Sequence, residues 1–441
     1  MRSRVVFLAA AATVMASLAN AQVWSLHSGA TGRVEYNDNY FFVPVDTQSA
    51  FTASITPFLT AARRTETSDV TALIAVGANE VWGDPPAVNY LSGRFDLDGS
   101  VREARSTWAG KASFVRSADL QNQASQAGAP LVLAYTNAAS MAGAYTYAMT
   151  ERWSLGATVG AYGNRYEAVE SDAALSNNHG FYASGNVGYA YSERTLLTFV
   201  TGYTFYDSSV ARGSGVTTTI GAVHQFSPQL TISASAGGFW SNTEASDNSL
   251  AGGNHRRDSG GLFGGSLTYL ASERTQVGAS LSENLTPSSS GTLNKADIAS
   301  AALTHQFSER LTGRLGGSYT RTIIPATTSK SITNSDYSGG IGLTYVLAER
   351  WQLDAGYRYT GARYEQTAGA PKSNVVFLSI GYNWPGASFT EWVGRRSDMQ
   401  GPAGAGAVSL PVRGPESPPL PGVPPAASSP GAAPFDQLTI P

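Results

Sequence analysis

The chain has 441 residues, no cysteine and a formal net charge of −3, and only 14% of its residues are charged. Soluble domains carry roughly 25% charged residues, so this composition does not suit a compact core inside a charged shell. The lack of cysteine excludes a disulfide framework and thiol chemistry. No basic stripe in the sequence supports nucleic-acid binding.

The first residues follow the pattern of a secretory signal. Arg2 and Arg4 precede the apolar run Val5–Leu18, and Ala19-Asn20-Ala21 fits an A-x-A cleavage site. The run is shorter than the roughly 18 residues expected of a spanning helix. We therefore predict a signal peptide over residues 1–21 that is cleaved after Ala21, and an exported mature chain.

The next segment, residues 22–385, repeats a unit of two alternating runs around a charged turn. In the clearest copy, Ser338–Tyr359, apolar and polar or small residues alternate on both sides of Ala348-Glu349-Arg350. A period of two predicts β-strands with one apolar face. The related turns are Thr150-Glu151-Arg152, Ser192-Glu193-Arg194, Ser227-Pro228-Gln229, Ser272-Glu273-Arg274 and Ser308-Glu309-Arg310.

Counting such runs predicts eighteen strands, from Gly32–Phe42 to Asn374–Trp384, with sixteen or twenty as alternatives. Exported chains cross lipid with strands only as closed barrels. We therefore predict an all-β fold, a transmembrane antiparallel up-and-down β-barrel over residues 22–385. A soluble sandwich would need large apolar residues that fill a core, and a propeller would need four short strands in each repeat.

The C-terminal residues 386–441 differ from the barrel in composition. The last 41 residues hold 11 of the 21 prolines, with Gly, Ala and Ser between them. This composition predicts a disordered periplasmic tail with polyproline-II tendency. The tail is either passive or a tether that binds a periplasmic protein partner.

No catalytic motif occurs in the sequence, so we predict that the protein is not an enzyme and uses no cofactor or metal. HExxH, Gly-x-Ser-x-Gly and Walker patterns are absent from it. His224 and His305 lie beside Phe226 and Phe307 at the ends of equivalent strands. That position favours an interface girdle over a pair of metal ligands.

Several charges alternate with apolar residues and therefore fall on the face that does not meet lipid. An Arg or Lys on the lipid face near the midplane costs roughly 2–4 kcal/mol, which favours the lumen. Such residues either select ions and sugars or pair with each other and brace the wall. The pore-lining candidates are Arg94, Asp96, Asp98, Lys111, Arg314, Asp354 and Arg358.

One long connection, Ser241–Gly260, carries four polar or charged residues: His255, Arg256, Arg257 and Asp258. A loop of this length either folds into the pore as a constriction or remains a mobile surface loop. We keep both interpretations for this segment.

The segment Gly32-Arg33-Val34-Glu35-Tyr36-Asn37-Asp38-Asn39-Tyr40 resembles the first strand of the family called Putative beta-barrel porin 2. The Ser-Glu-Arg turns are similar to that group as well. The family includes proteins associated with PEP-CTERM and exopolysaccharide systems of Gram-negative bacteria. The resemblance implies a location in the cell outer membrane and a role in polysaccharide export, without catalytic residues. Asn37-Asp38-Asn39 is interpreted as a turn that ends the strand, since one Asp is a weak Ca²⁺ site.

Together these features predict a porin-like channel in the outer membrane that transports small hydrophilic solutes or sugars. The alternative is a structural or accessory component of an envelope or exopolysaccharide export system, whose tail binds a periplasmic partner. The expected partners are therefore outer-membrane lipid and small solutes or polysaccharide. The small polar lumen positions favour the channel, and the Pro-rich tail favours the accessory role.

Overall fold

The computed structural model describes residues 24–83, 88–118, 134–168, 176–245, 255–287, 293–324, 332–365 and 369–384. The predicted signal peptide and the predicted tail lie outside these residues. Within them, no helix has the length and apolar character needed to cross a membrane.

The described residues form eighteen β-strands in one sheet. In chain order they are β1 (Trp24–Asn37), β2 (Ala50–Arg64), β3 (Ser68–Gly83), β4 (Val88–Arg102), β5 (Ser106–Ser117), β6 (Ala134–Ala148), β7 (Trp153–Ala168), β8 (Asn178–Ser192), β9 (Thr195–Ser208), β10 (Ala211–Ser227), β11 (Leu230–Ala245), β12 (His255–Ser272), β13 (Thr275–Pro287), β14 (Leu293–Gln306), β15 (Leu311–Ile324), β16 (Ile332–Ala348), β17 (Trp351–Tyr364) and β18 (Lys372–Asn383).

Every strand pairs antiparallel with the next strand of the chain, and β1 closes the sheet against β18. The closing register runs from Gly29 opposite Asn383 to Asn37 opposite Val375. This closure leaves neither β1 nor β18 as an edge strand, as a wall in contact with lipid requires. The predicted up-and-down barrel of eighteen strands is confirmed.

The short turns at one end explain why the Ser-Glu-Arg pattern repeats. In the turn after β8, the Ser192 hydroxyl accepts a hydrogen bond from the Arg194 backbone N–H at 3.3 Å. The Arg194 carbonyl then accepts one from the Gln225 N–H of β10 at 2.9 Å. The carbonyls of Arg152, Gln229, Arg274, Arg310 and Arg350 accept the same kind of bond from the strand beyond. Each turn therefore adds one more backbone hydrogen bond to the pairing with the neighbouring strand.

The first strand begins earlier than predicted. The expected strand Gly32–Phe42 is instead β1, which starts at Trp24 and ends at Asn37. Asn37 ends it because its side-chain Oδ1 accepts a hydrogen bond from the Asn39 N–H at 2.9 Å. The Asn39 Oδ1 accepts another from the Val43 N–H at 3.0 Å, and Phe42 adopts a φ of 53°. The Asn-Asp-Asn triplet therefore forms a turn, as the sequence predicts.

The outer face of the barrel is apolar and exposed. Ile220 is 66% exposed, Met141 63% and Val159 60%, although each lies in the middle of a strand. Their neighbours in sequence point to the inside, because successive side chains alternate. An exposed apolar band of this kind suits contact with hydrocarbon rather than with water.

An aromatic belt surrounds the outer face at the end with the short turns. Its members are direct cross-strand pairs: Trp108 with Tyr145, Trp153 with Tyr189, and Trp351 with Tyr382. The ring centroids are 4.3, 4.7 and 4.6 Å apart. Such belts lie at membrane–water interfaces, so the belt marks one boundary of the apolar band.

Candidate channel interior

Small polar side chains line much of the inner face. Cross-strand hydroxyl pairs join Ser233 to Ser266 at 2.7 Å, Ser280 to Ser300 at 2.8 Å and Ser318 to Ser338 at 2.9 Å. These residues alternate with the outward apolar residues of β11 to β16. A hydroxyl both donates and accepts hydrogen bonds, so this part of the wall presents groups that replace the hydration of a polar solute.

Four of the predicted pore-lining residues form one cluster on β4 and β5. Arg94 and Asp96 form an ion pair, and both are about one fifth exposed. Asp98 lies directly opposite Lys111 in the register of the two strands. The four residues alternate with outward Phe95, Leu97 and Phe114. The structure thus gathers two acids and two bases on one patch of the inner face.

A second cluster surrounds Asp354 on β17. Its Oδ1 accepts hydrogen bonds from Thr344 Oγ1 and Gln352 Nε2, both at 2.7 Å, and its Oδ2 accepts a longer one from Ser379 Oγ at 3.4 Å. The guanidinium of Arg314 interacts electrostatically with this carboxylate. Asp354 is only 7% exposed, so its charge braces the wall more than it meets a passing solute.

Arg358, two residues further along β17, belongs to the same inner face. Its Nε is buried and has no hydrogen-bond partner among the described residues. Arg358 lies opposite Gly340 on one side and Val375 on the other. All seven predicted residues therefore lie on the inner face, in two separate groups, while their role in lining an open pore remains a prediction.

Sequence reasoning missed a third charged group on β1. Arg33 forms an ion pair with Glu35 at 2.5 Å, and its guanidinium carbon lies 4.0 Å from the centroid of the Phe377 ring. Arg33 and Glu35 alternate with the exposed Val34 and Tyr36. The same alternation that selected Arg94 and Asp96 was present in this segment and would have identified the pair.

The predicted loop Ser241–Gly260 is shorter than the sequence suggested. β11 continues to Ala245 and β12 begins at His255, with Glu244 opposite His255 and Ser241 opposite Asp258. His255, Arg256, Arg257 and Asp258 therefore lie in the barrel wall instead of the loop, and residues 246–254 lie outside the described part. At strand ends beyond the apolar band, the backbone hydrogen bonds continue although apolar residues no longer alternate with polar ones. The sequence of such a strand end therefore resembles that of a loop.

Aromatic rings on the inner face lie flat over glycines of the neighbouring strand. A Cβ added at Gly160 would lie 2.6 Å from the Tyr182 hydroxyl, and one at Gly180 would lie 2.6 Å from the Tyr162 hydroxyl. Both are direct cross-strand pairs of β7 and β8. Glycine lets the ring approach the backbone closely, so these tyrosines pack against the wall itself.

The two histidines singled out by the sequence lie on the outer face near the short turns. His224 Nδ1 is 2.8 Å from the Thr195 hydroxyl, and its ring packs edge-on against Phe226. His305 repeats both contacts with Thr275 and Phe307. The two sites are on β10 and β14, so they are separate members of the interface girdle. Among the described residues no group of His, Asp and Glu is arranged to hold a metal ion.

Comparison with solved structures finds bacterial outer-membrane proteins. OpdK from Pseudomonas aeruginosa is 13% identical with a TM-score of 0.42, and the alignment covers 81% of this chain and 99% of OpdK. A BenF-like porin from Pseudomonas fluorescens Pf-5 is 14% identical with a TM-score of 0.42 and coverages of 81% and 99%. OccAB2 from Acinetobacter baumannii is 12% identical with a TM-score of 0.42 and coverages of 82% and 98%. No curated protein matches the sequence.

A family comparison gives a match within the chain itself. The family described as Putative beta-barrel porin 2 matches residues 256–383, which run from the start of β12 to the end of β18. This segment includes three of the repeated turns and the Asp354 cluster. The resemblance expected from the sequence is therefore confirmed, and strands β12 to β18 carry the sequence pattern of the Putative beta-barrel porin 2 family.

Proposed function

We propose that the protein is a channel of the outer membrane that lets small hydrophilic solutes, neutral sugars among them, diffuse through its barrel. The observation that carries this proposal is the contrast between the two faces of the same strands. The outer face is an exposed apolar band, whereas the inner face holds hydroxyl pairs and fixed charges. Barrels of this strand number enclose aqueous channels when the interior is polar.

Liposome swelling tests this proposal most simply. Vesicles containing the refolded mature protein are diluted into isotonic solutions of pentose, hexose, disaccharide and trisaccharide. We expect swelling rates that fall as the sugar grows, since a water-filled lumen excludes solutes by size. Vesicles that do not swell with any sugar, despite folded protein in them, would contradict the channel.

The β4–β5 cluster makes a separate prediction about ions. Replacing Lys111 with Gln leaves Asp98 without its opposite cation, so the pore should shift toward cations, which the reversal potential in a salt gradient measures. Arg116→Gln is the matched control. Arg116 is on the same strand but belongs to the outer face, where it contacts Glu167 at 3.0 Å. Equal shifts in both variants would show that Lys111 does not face the pore.

The accessory role in an envelope or exopolysaccharide system remains a second hypothesis. It depends on the Pro-rich residues 386–441, which lie outside the described part of the chain. Conductance measured with and without these residues tests both roles, since folded protein that is silent in both forms would leave only the accessory role. A tail that gates the pore would give openings only after truncation, whereas an incidental tail would leave the openings unchanged.

A further inference from the structure

The seam between β12 and β13 is closed over only part of its length. Its eight residue pairs run from Ser272 opposite Thr275, next to the short turn, to Gly264 opposite Ser282. Beyond that level, the described part of β12 pairs only with β11, up to His255. The same stretch of β13 pairs only with β14, up to Pro287. The two strands therefore separate at the end of the barrel away from the short turns.

The end of β13 away from the short turn lies against the inner face of the barrel wall. Leu285 packs on Tyr206 and Ala211, which belong to β9 and β10 and are only 1% and 3% exposed. Tyr206 is on the inner face, because it alternates with the outward Tyr203. A side chain of β13 reaches these residues only if its strand has left the line of the wall and leans into the lumen.

We define the flap as Glu283–Leu285 of β13 together with Lys295–Asp297 of β14, which pair with each other. Within it, the Glu283 carboxylate and the Lys295 ammonium are 2.7 Å apart. Phe239 and Leu262, on the inner faces of β11 and β12, are only 6% and 9% exposed. An open lumen would leave such side chains in water, so their burial agrees with a flap that covers this part of the wall.

A second position is available to the flap. Extending the existing register would place Leu262 opposite Asn284 and Phe263 opposite Glu283. Gly264 and Gly265 stand where the strands separate, and glycine tolerates the backbone change that such a movement needs. If β13 paired with β12 over this stretch, the backbone groups of the two strands would be hydrogen-bonded to each other at the level of the membrane. If β13 stays inward, Leu285 keeps its apolar contacts. The paired position is thus stabilised by backbone hydrogen bonds, and the inward position by apolar contacts.

We propose that the flap is a gate of the channel, which narrows the lumen when it leans inward and widens the lumen when this end of β13 pairs with β12. This inference rests on the channel function proposed above. It places the constriction on a wall hairpin, away from the residues His255–Asp258 that the sequence suggested.

Engineered disulfides test the gate, and the chain has no native cysteine to interfere. The double variant Leu262→Cys, Asn284→Cys should cross-link under mild oxidation only if β12 and β13 pair along this part of the seam. The variant Ala211→Cys, Leu285→Cys should fix the inward position. Ser266→Cys, Ser280→Cys is the control for cross-linking efficiency, because these residues already face each other and belong to the same set of alternate pairs.

We expect the first pair to cross-link about as fully as the control and to raise the single-channel conductance about two-fold, as a wider lumen conducts more ions. The second pair should hold the lower conductance, and reduction should reverse both effects. A first pair that never cross-links while the control does would overturn the gate. Cross-linking of that pair without any change in the conductance of an active channel would overturn it too. If all variants and the parent protein are silent, the channel function fails, and the cross-linking yield still decides whether the flap moves.

Discussion

Removing the carboxylate of Asp354 should be among the most destabilising single changes in the inner wall. Asp354 is 7% exposed and accepts two hydrogen bonds of 2.7 Å, from Thr344 and Gln352. Hydrogen bonds to charged groups contribute about 1.5–3 kcal/mol each, and Arg314 would also lose its nearby opposite charge. For Asp354→Ala we therefore expect a loss of roughly 3–6 kcal/mol in the free energy of unfolding, the sum for the two hydrogen bonds that are lost.

Urea unfolding from lipid vesicles, followed by tryptophan fluorescence, measures this loss. The matched control is Asp69→Ala, because Asp69 also has an arginine partner, Arg64 at 3.2 Å, but the two side chains are 46% and 63% exposed. A surface pair of this kind contributes about 0–1 kcal/mol. If the two variants lost the same amount of stability, the argument that burial makes the Asp354 network strong would be refuted.

Two further predictions concern the two faces of the wall. Gly180→Ala should lower the free energy of unfolding by about 1–3 kcal/mol, since the new methyl group would clash with the backbone carbonyl oxygen of Phe205 and lie 2.6 Å from the Tyr162 hydroxyl. Gly143→Ala, with no atom within 4 Å of its Cβ, should be neutral or stabilising by about 0.5–1 kcal/mol in the same urea titration. Ile220→Arg should cost roughly 2–4 kcal/mol because Ile220 faces the lipid, whereas Thr219→Arg on the inner face should cost clearly less. Equal costs at positions 219 and 220 would contradict the assignment of the faces.

The strand number and the closure of the barrel could be predicted because both depend on local patterns. Alternation identifies a strand from a few residues, and the Ser-Glu-Arg turns place its end, as Ser192 shows by hydrogen bonding to the backbone of Arg194. The same alternation placed Asp98 and Asp354 on the inner face. Strand ends beyond the apolar band, such as His255 to Asp258, were not predicted as strand because no apolar residues alternate with the polar ones there.

Features that depend on distant contacts could not be predicted from the sequence. The separation of β12 from β13 accompanies the packing of Leu285 on Tyr206, nearly eighty residues away in the chain. The hydrogen bonds to Asp354 come from three different strands. The cation–π contact of Arg33 with Phe377 joins the first strand of the barrel to the last. No local pattern indicates such contacts, since they follow from the closure and register of the whole sheet.

The most direct test of the central claim is the single-channel conductance of the refolded mature protein in planar lipid bilayers. Heat-modifiable migration on a gel first establishes that the barrel is folded. A polar lumen inside an apolar wall predicts discrete, steady openings whose conductance rises with salt concentration. Folded protein that inserts into the bilayer and stays silent would contradict the channel and leave the accessory role as the remaining hypothesis.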